Sequence, residues 1–420
     1  MLKNFVIDKN RDKLVPDFAC FQMDLSGPVT AAIDAGEVDE EFKTLPSWAK
    51  FAANPIKAKG FFTRTLQALF LGQGGHDELN VDLQANIVKR SHARVAMMFM
   101  PANTRNELLE VMGNIAQETL PGFEVIVLCG SVKYNGKTVN NRRAEQVVKE
   151  VVESGKPVLI IAAQMAQRSF SIPEITELYL AYDRGDNGAT IQKMSRTLTP
   201  GGIEKVGRIF SLSFDPNRDD KFDAMIMETA QNHKARNQSK SLQEAMAEVL
   251  RTIDIYRCTV DGAVKIEQNT YLEEALATNR ISRVLGKIVN LSSLSQDAIT
   301  ALASGNNNYF RNEKQNATIS GKTRETSKKN AGDTNKRDLY NEKELAKARQ
   351  VIVTIIEHLE VIIWGTNNKV LADAMIAIEN DPSMRQCVEQ EFGVSIETIG
   401  FLFKNDIIKQ DFVELMYDNT

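Results

Sequence analysis

Five short apolar runs constrain the fold of this 420-residue chain more than any other feature. Polar segments separate them, and two of these segments, 106–117 and 143–153, carry apolar residues at helical spacing. The runs themselves cover residues 95–100, 123–128, 157–163, 177–182 and 206–214. Short apolar strands that alternate with helices are typical of a parallel sheet covered on both faces. The sequence therefore predicts an α/β fold with a doubly wound sheet over residues 85–215.

The rest of the chain differs from this α/β stretch in composition. Residues 1–84 lack strong periodicity, so we expect an irregular N-terminal extension, and residues 216–304 have a mostly helical pattern. Residues 305–341 are rich in Asn, Lys, Ser, Thr and Gly. Such a segment buries too little apolar surface to offset chain entropy, which predicts a flexible linker. Three apolar-periodic segments in residues 342–420 predict a small all-α domain.

Charge and cysteine usage exclude several classes of protein. With 51 Lys and Arg against 55 Asp and Glu, the formal net charge is −4, so the chain is not a polybasic nucleic-acid coat. Residues 342–420 hold 7 basic and 14 acidic side chains, which suits a protein partner better than DNA. Neither a C-x-x-C pair nor a His-Cys cluster occurs, so we expect no metal site. No signal peptide or membrane-spanning apolar run is found, which favours a cytoplasmic protein.

The usual signatures of a self-contained ATPase are missing. Two G-K-T triplets occur, at 136–138 and 321–323, but neither has glycine at the position that a phosphate loop needs. No D-E-x-H box, G-x-S-x-G elbow or glycine-rich dinucleotide motif is present. If this chain works on ATP, another polypeptide must supply the groups that hold the β- and γ-phosphates and magnesium.

The most informative stretch runs over residues 157–201. A buried strand ends in a polar loop, Pro173 fixes a turn, and a second strand ends near Asp183. Thr190 is predicted to cap a short helix that begins near Ile191. Ligands usually bind at the carboxyl ends of parallel strands. The residues of that helix whose side chains suit phosphate are Gln192, Lys193 and Arg196.

The order of these segments resembles the second RecA-like lobe of superfamily-2 helicases, of the restriction-enzyme and phage type. Residues 163–173 are similar to the family's motif V, residues 191–199 (IQKMSRTLT) to motif VI, and residues 94–101 to the motif IV strand. Gly130 and the pair Arg142/Arg143 stand where the family has a strand-end glycine and an arginine before the next helix. The resemblance covers about residues 85–215.

The resemblance implies a role for each matching residue. Arg196 would be the catalytic arginine on the γ-phosphate, or else an ion-paired helix residue. Arg168 would couple nucleotide state to the strand-binding groove or simply tie two loops together, and Gln192 would contact ATP or cap a helix. The implied ATP-binding set is Gln192, Lys193, Arg168 and Ser171. The implied nucleic-acid-binding set is Gln164, Gly130 and Arg143.

Departures from the family pattern leave three hypotheses. Thr199 replaces the last motif VI arginine, Ser171 the motif V aspartate, and no first lobe is present. The leading hypothesis is the C-terminal half of an ATP-dependent DNA helicase or translocase. It would act on a DNA or RNA backbone with a separate phosphate-loop lobe that also holds Mg²⁺. The second is a non-catalytic lobe that serves as an interaction or regulatory subunit. The third is an unrelated α/β nucleotide-binding enzyme.

Overall fold

A ten-stranded sheet organises the first of two units into which the chain divides. This unit comprises residues 1–237 and 244–274, and the second comprises residues 238–243 and 275–420. The computed structural model describes residues 17–90, 93–129, 131–134, 137–139, 144–163, 172–185, 187–198, 206–236, 240–278, 280–288, 291, 294–312, 342–358, 370–410 and 412.

Seven neighbouring strands of the sheet run parallel. The strands, β1 to β10, are Asp17–Asp24, Val95–Phe99, Glu124–Cys129, Ser131–Tyr134, Lys137–Val139, Val158–Ala162, Glu177–Leu180, Val206–Ser213, Asp254–Arg257 and Val264–Lys265. They lie in the order β10-β9-β1-β8-β7-β2-β6-β3-β4-β5, and only the β10-β9, β3-β4 and β4-β5 pairs are antiparallel. The predicted α/β class is therefore confirmed: a mostly parallel sheet with helical regions beside it.

Helices form most of the remaining described chain. The first thirteen, α1 to α13, are Ser26–Asp34, Glu40–Thr44, Trp48–Ala53, Lys59–Leu71, Val81–Gln84, Asn106–Thr119, Ala144–Glu153, Asn187–Met194, Lys221–Arg236, Leu242–Leu250, Gln268–Ala277, Arg280–Ile288 and Gln296–Ser304. The last four, α14 to α17, are Glu342–Glu357, Leu371–Asn380, Pro382–Phe392 and Ile396–Lys404. Within the described residues, no helix is both long enough and apolar enough to cross a lipid bilayer.

The prediction of an irregular extension over residues 1–84 is wrong for its described part. Strand β1 lies inside the sheet, pairing in parallel with β8 along its whole length and with β9 on its other side. Phe21 stacks on Phe210 at 4.9 Å and on Tyr256 at 5.1 Å between ring centroids. The core also contains Trp48 and Phe61 from α3 and α4. The strand was missed because its pairing partners β8 and β9 lie about 190 and 235 residues further along the chain, beyond any local pattern.

The helical regions also differ from their predicted boundaries. The predicted helical extension over 216–304 contributes β9 and β10 to the sheet, so it is not wholly helical. In the second unit, α14 packs against α12 and α13, so this helical unit begins well before residue 342. Residues 313–341 of the predicted linker lie outside the described residues.

A candidate site at the carboxyl edge of the sheet

The carboxyl ends of β8, β7 and β2 lie side by side in register. Phe99 pairs with Leu180, and Leu180 pairs with Ser211. Ala181 N–H extends this pairing by donating to the Phe99 carbonyl at 2.9 Å. From β2 the chain crosses to β3 on one side, whereas from β7 it crosses to β8 on the other. The edge between β2 and β7 is therefore a topological switch point, where ligands bind in open α/β sheets.

The loop after β7 is anchored on both sides. Asp183 accepts hydrogen bonds from Trp48 N–H at 2.7 Å and Ala49 N–H at 2.9 Å, so its carboxylate holds the first turn of α3. Gly185 N–H donates to Asp220 Oδ1 at 2.7 Å. A Cβ on Gly185 would lie 2.8 Å from the Asp220 carbonyl oxygen, so only glycine fits there. The position of the loop is thus fixed by buried contacts.

A buried ion pair ties the ends of β7 and β8 together. Lys221 is fully buried, with its Nζ 3.0 Å from Asp219 Oδ1 and donating to the Tyr182 carbonyl at 2.9 Å. Ser211 Oγ donates to Asp219 Oδ2, so both carboxylate oxygens are bonded. Removing one member of such a pair leaves a buried charge without compensation, at a cost of about 3–5 kcal/mol.

Helix α8 begins earlier than the sequence predicts. It starts at Asn187 rather than near Ile191, so Thr190 lies within the helix and does not cap it. Thr190 is buried, with Oγ1 3.4 Å from the Tyr182 hydroxyl. Lys193 is also buried, with Nζ 3.9 Å from the Tyr182 ring centroid and 5.6 Å from that of Phe99. The Lys193 ammonium therefore contacts two aromatic rings at the switch point.

Gln192 and Arg196 lie on the same helical segment as Lys193. Gln192 is exposed, and its carbonyl accepts a hydrogen bond from Ser195 Oγ at 2.6 Å. Arg196 is half-buried, and burial lowers the pKa of its guanidinium. The adjacent Thr197 packs on Gly207, where a Cβ would lie 2.9 Å from Thr197 Oγ1. Gly207 is the second residue of β8, so this turn lies toward the amino end of that strand.

The other predicted site residues have no structural description. Those that lie outside the described residues are Gln164, Arg168, Ser171, Gly130 and Arg143. Of the eight predicted positions, the structure therefore describes Gln192, Lys193 and Arg196, and it brings Lys193 to the carboxyl edge. Within the described part of the chain, no three His, Cys, Asp or Glu side chains are grouped to hold a metal ion.

The opposite, amino edge carries a charged network that sequence reasoning missed. Glu177, the fully buried first residue of β7, accepts from Arg94 Nε at 2.7 Å, Arg90 at 2.5 Å and the Tyr179 hydroxyl at 2.8 Å. Burial alone would raise the pKa of Glu177, but the two guanidinium groups outweigh it and hold that pKa below its ordinary value. Arg94 also packs 4.6 Å over the Phe70 ring. The available signal was a charged residue at the start of an otherwise apolar strand.

Comparison with known proteins gives only remote likeness, among solved structures. No protein-family model matches the chain, and no curated protein matches it. Among solved structures, the chain is similar to the ATP-dependent Type ISP restriction-modification enzyme LlaBIII bound to DNA, with 10% identity and a TM-score of 0.35. The match covers 97% of this chain and 27% of that enzyme, so the chain spans about a quarter of its length. At this level of similarity, the function of the chain must be inferred from its own residues and geometry.

Proposed function

We propose that the first unit is a helicase-like lobe, the C-terminal half of an ATP-dependent DNA translocase. One observation carries this proposal. The segment similar to motif IV contains β2, the segments similar to motifs V and VI follow β6 and β7, and these strands are neighbours in the order β7-β2-β6. This strand order supports a shared nucleotide and nucleic-acid site, because it makes neighbours of strands that lie apart in the sequence.

On this proposal the ATP site is divided between two polypeptides, because the sequence has no phosphate-loop motif and no D-E-x-H box. A second polypeptide supplies the phosphate loop and the carboxylate for Mg²⁺, and this chain supplies Arg196 and Gln192. Gln192 lies on α8 and Arg196 in the short 3-10 helix Ser195–Leu198 directly after it, so both belong to one short stretch of the chain. Gln192 is exposed and Arg196 half-buried, an arrangement that suits a phosphate arriving from outside. An arginine in this role is worth about 10³–10⁵ in rate.

On this proposal, the residues outside the described part keep their predicted roles. Arg168 and Ser171 join the nucleotide contacts, while Gln164, Gly130 and Arg143 contact the nucleic-acid backbone. Lys193 is buried and its ammonium packs on the Tyr182 ring, so it is not free to reach a bound nucleotide. We therefore assign Lys193 the role of positioning the Phe99 and Tyr182 rings at the carboxyl edge, and not direct contact with ATP.

A non-catalytic interaction subunit is the second candidate. It is favoured by the carboxyl edge itself, where Asp183, Lys193 and Lys221 are all engaged in contacts within the protein. A lobe that has lost catalysis retains such structural contacts. The acidic residues 342–420 would then offer a docking surface for another subunit.

ATP hydrolysis by defined mixtures distinguishes the two candidates. The chain is assayed alone and together with a separate phosphate-loop helicase lobe, each with and without DNA. We expect negligible hydrolysis by the chain alone and DNA-stimulated hydrolysis by the mixture. A complex that forms but never hydrolyses ATP supports the interaction subunit. Hydrolysis by the isolated chain at an ordinary motor rate contradicts the split arrangement.

A further inference from the structure

Three exposed arginines occupy three consecutive loops at the carboxyl edge. Arg105 follows β2, Arg184 follows β7 and Arg218 follows β8, each four to six residues beyond the strand. These strands are immediate neighbours in the order β8-β7-β2. We call these residues the arginine row. Exposed arginines in loops are ordinary, so the sequence alone gives no reason to group these three.

The arginine row differs from the arginines at the amino edge in how its charges are compensated. At the amino edge, Arg90 and Arg94 share the carboxylate of Glu177. Within the described chain, by contrast, neither Arg105 nor Arg184 forms an ion pair. Arg218 lies 3.5 Å from Asp215, but both side chains are at least half exposed. Such exposed surface pairs contribute little to stability, so Arg218 can exchange its partner at little cost.

The backbone that carries the row is held firmly. Arg184 stands between Asp183 and Gly185, and both are anchored, the first to the start of α3 and the second to Asp220. Arg218 lies two residues before that same Asp220. Arg105 immediately precedes α6, in a turn closed by the hydrogen bond from Thr104 Oγ1 to the Pro101 carbonyl at 2.7 Å. The backbone at these arginines is therefore already ordered, which lowers the entropy lost on binding.

The spacing of the row fits a linear polyanion. Adjacent strands are about 4.8 Å apart, so three strand ends span about 10 Å. Along one strand of duplex DNA the phosphates recur about every 3.4 Å of axis, so a span of about 10 Å is wide enough for each arginine to meet a different phosphate. Among the described residues, the exposed acidic side chains within three positions of these arginines are Asp215 and Glu107, and the half-buried Asp183 is occupied by the start of α3. Guanidinium groups bind phosphate in a forked, two-bond geometry.

We propose that the arginine row binds the phosphate backbone of a nucleic acid along the carboxyl ends of β2, β7 and β8. The inference rests on the proposed function, since it gives the helicase-like lobe a track for its nucleic acid. It also names residues that motif resemblance did not supply. A line of charges spread over three separate strands suits a polymer better than a single nucleotide, which needs groups that converge.

The salt dependence of DNA binding tests the row. The full chain is titrated onto a fluorescently labelled single-stranded oligonucleotide of about 20 nucleotides at several salt concentrations. Each lost phosphate contact lowers the slope of log K against log salt by about 0.7 for single strands. We expect the triple variant R105Q/R184Q/R218Q to lose about 2 from the slope and at least tenfold in affinity. Each single variant should lose about 0.7, which keeps the test valid if the triple variant folds poorly.

Arg251→Gln is the matched control. Arg251 is also an exposed arginine of the first unit, but it lies just before β9, at the amino edge. An unchanged slope in the arginine-row variants overturns the inference, and so does an equal loss in the control. Absence of DNA binding by the unaltered chain overturns it as well. Because no ATP is involved, a chain that binds DNA through the row but never hydrolyses ATP with a partner keeps this inference and loses the translocase proposal.

Discussion

Replacing Glu177 by glutamine removes the one negative charge from the buried network at the amino edge. The carboxylate is fully buried and accepts hydrogen bonds from Arg94, Arg90 and Tyr179. Glutamine keeps the shape but turns an acceptor into a donor, which then faces a guanidinium group. Arg94 stays buried without its counter-charge.

The expected cost is large for a single substitution. Removing one partner of a buried ion pair costs about 3–5 kcal/mol, and the hydrogen bond that glutamine can still accept places this change near about 3 kcal/mol. Glu37→Gln is the matched control. Glu37 also holds an arginine through both oxygens, at 2.8 Å and 3.0 Å from Arg64, but both side chains are about one-third exposed. Its loss should cost less than about 1 kcal/mol.

The effect should also depend on pH, with a definite sign. Because the pKa of Glu177 is lowered in the folded protein, the folded state binds fewer protons at this site than the unfolded state. Its stabilising contribution is complete above the unfolded value of about 4.5 and is lost as the pH falls through the folded pKa. This loss is at most about 1.4 kcal/mol per pH unit. The glutamine variant has no such loss, so the stability gap between the two proteins should narrow in acid.

Urea unfolding followed by tryptophan fluorescence measures both effects. The chain has two tryptophans, and Trp48 is buried in the first unit, where its indole donates to the Leu212 carbonyl at 2.9 Å. A Trp364→Phe background leaves Trp48 as the sole reporter. Equal costs for Glu177→Gln and Glu37→Gln at pH 7 would refute the reasoning, as would a stability gap that widens in acid.

Three further substitutions test the packing around the site and in the second unit. Gly113→Ala should lower the free energy of unfolding in urea by about 1–3 kcal/mol, because the new Cβ would lie 2.2 Å from Val127 Cγ2. A second change, Val127→Ala, should restore stability, and its failure to do so would contradict this account. Asp183→Ala should cost about 1–2 kcal/mol by removing the acceptor of two helix N–H groups, and an unchanged Trp48 transition argues against that anchor. Ser395→Ala removes the N-cap of α17 and should cost about 1 kcal/mol in the second unit, monitored by circular dichroism. A shift of the Trp48 transition in this last variant would show that its effect is not confined to the second unit.

The five apolar runs predicted strands correctly because a strand that is buried on both faces consists almost wholly of apolar residues, and such a run is visible in the sequence. In β1 the apolar residues are interrupted by Gln22, and β9 has only two apolar residues, so neither forms an apolar run. The strand character of β1 depends on pairing with β8 and β9, which lie far along the chain. The same limit applies to the site. Lys193 has a residue type that suits phosphate, but its contact with Tyr182 depends on how α8 packs on the sheet. The arginine row becomes visible only once the strand order makes β2, β7 and β8 neighbours.

The role of Arg196 in a shared ATP site is tested most directly by single-turnover hydrolysis in the mixture with the phosphate-loop polypeptide. Arg196→Gln is compared with Arg208→Gln, since Arg208 is also half-buried and burial likewise lowers the pKa of its guanidinium. We predict a fall of about 10³-fold or more for Arg196→Gln and little change for Arg208→Gln. Equal rates for the Arg196 variant and the unaltered chain would contradict the claim that this lobe contributes its arginine to ATP hydrolysis.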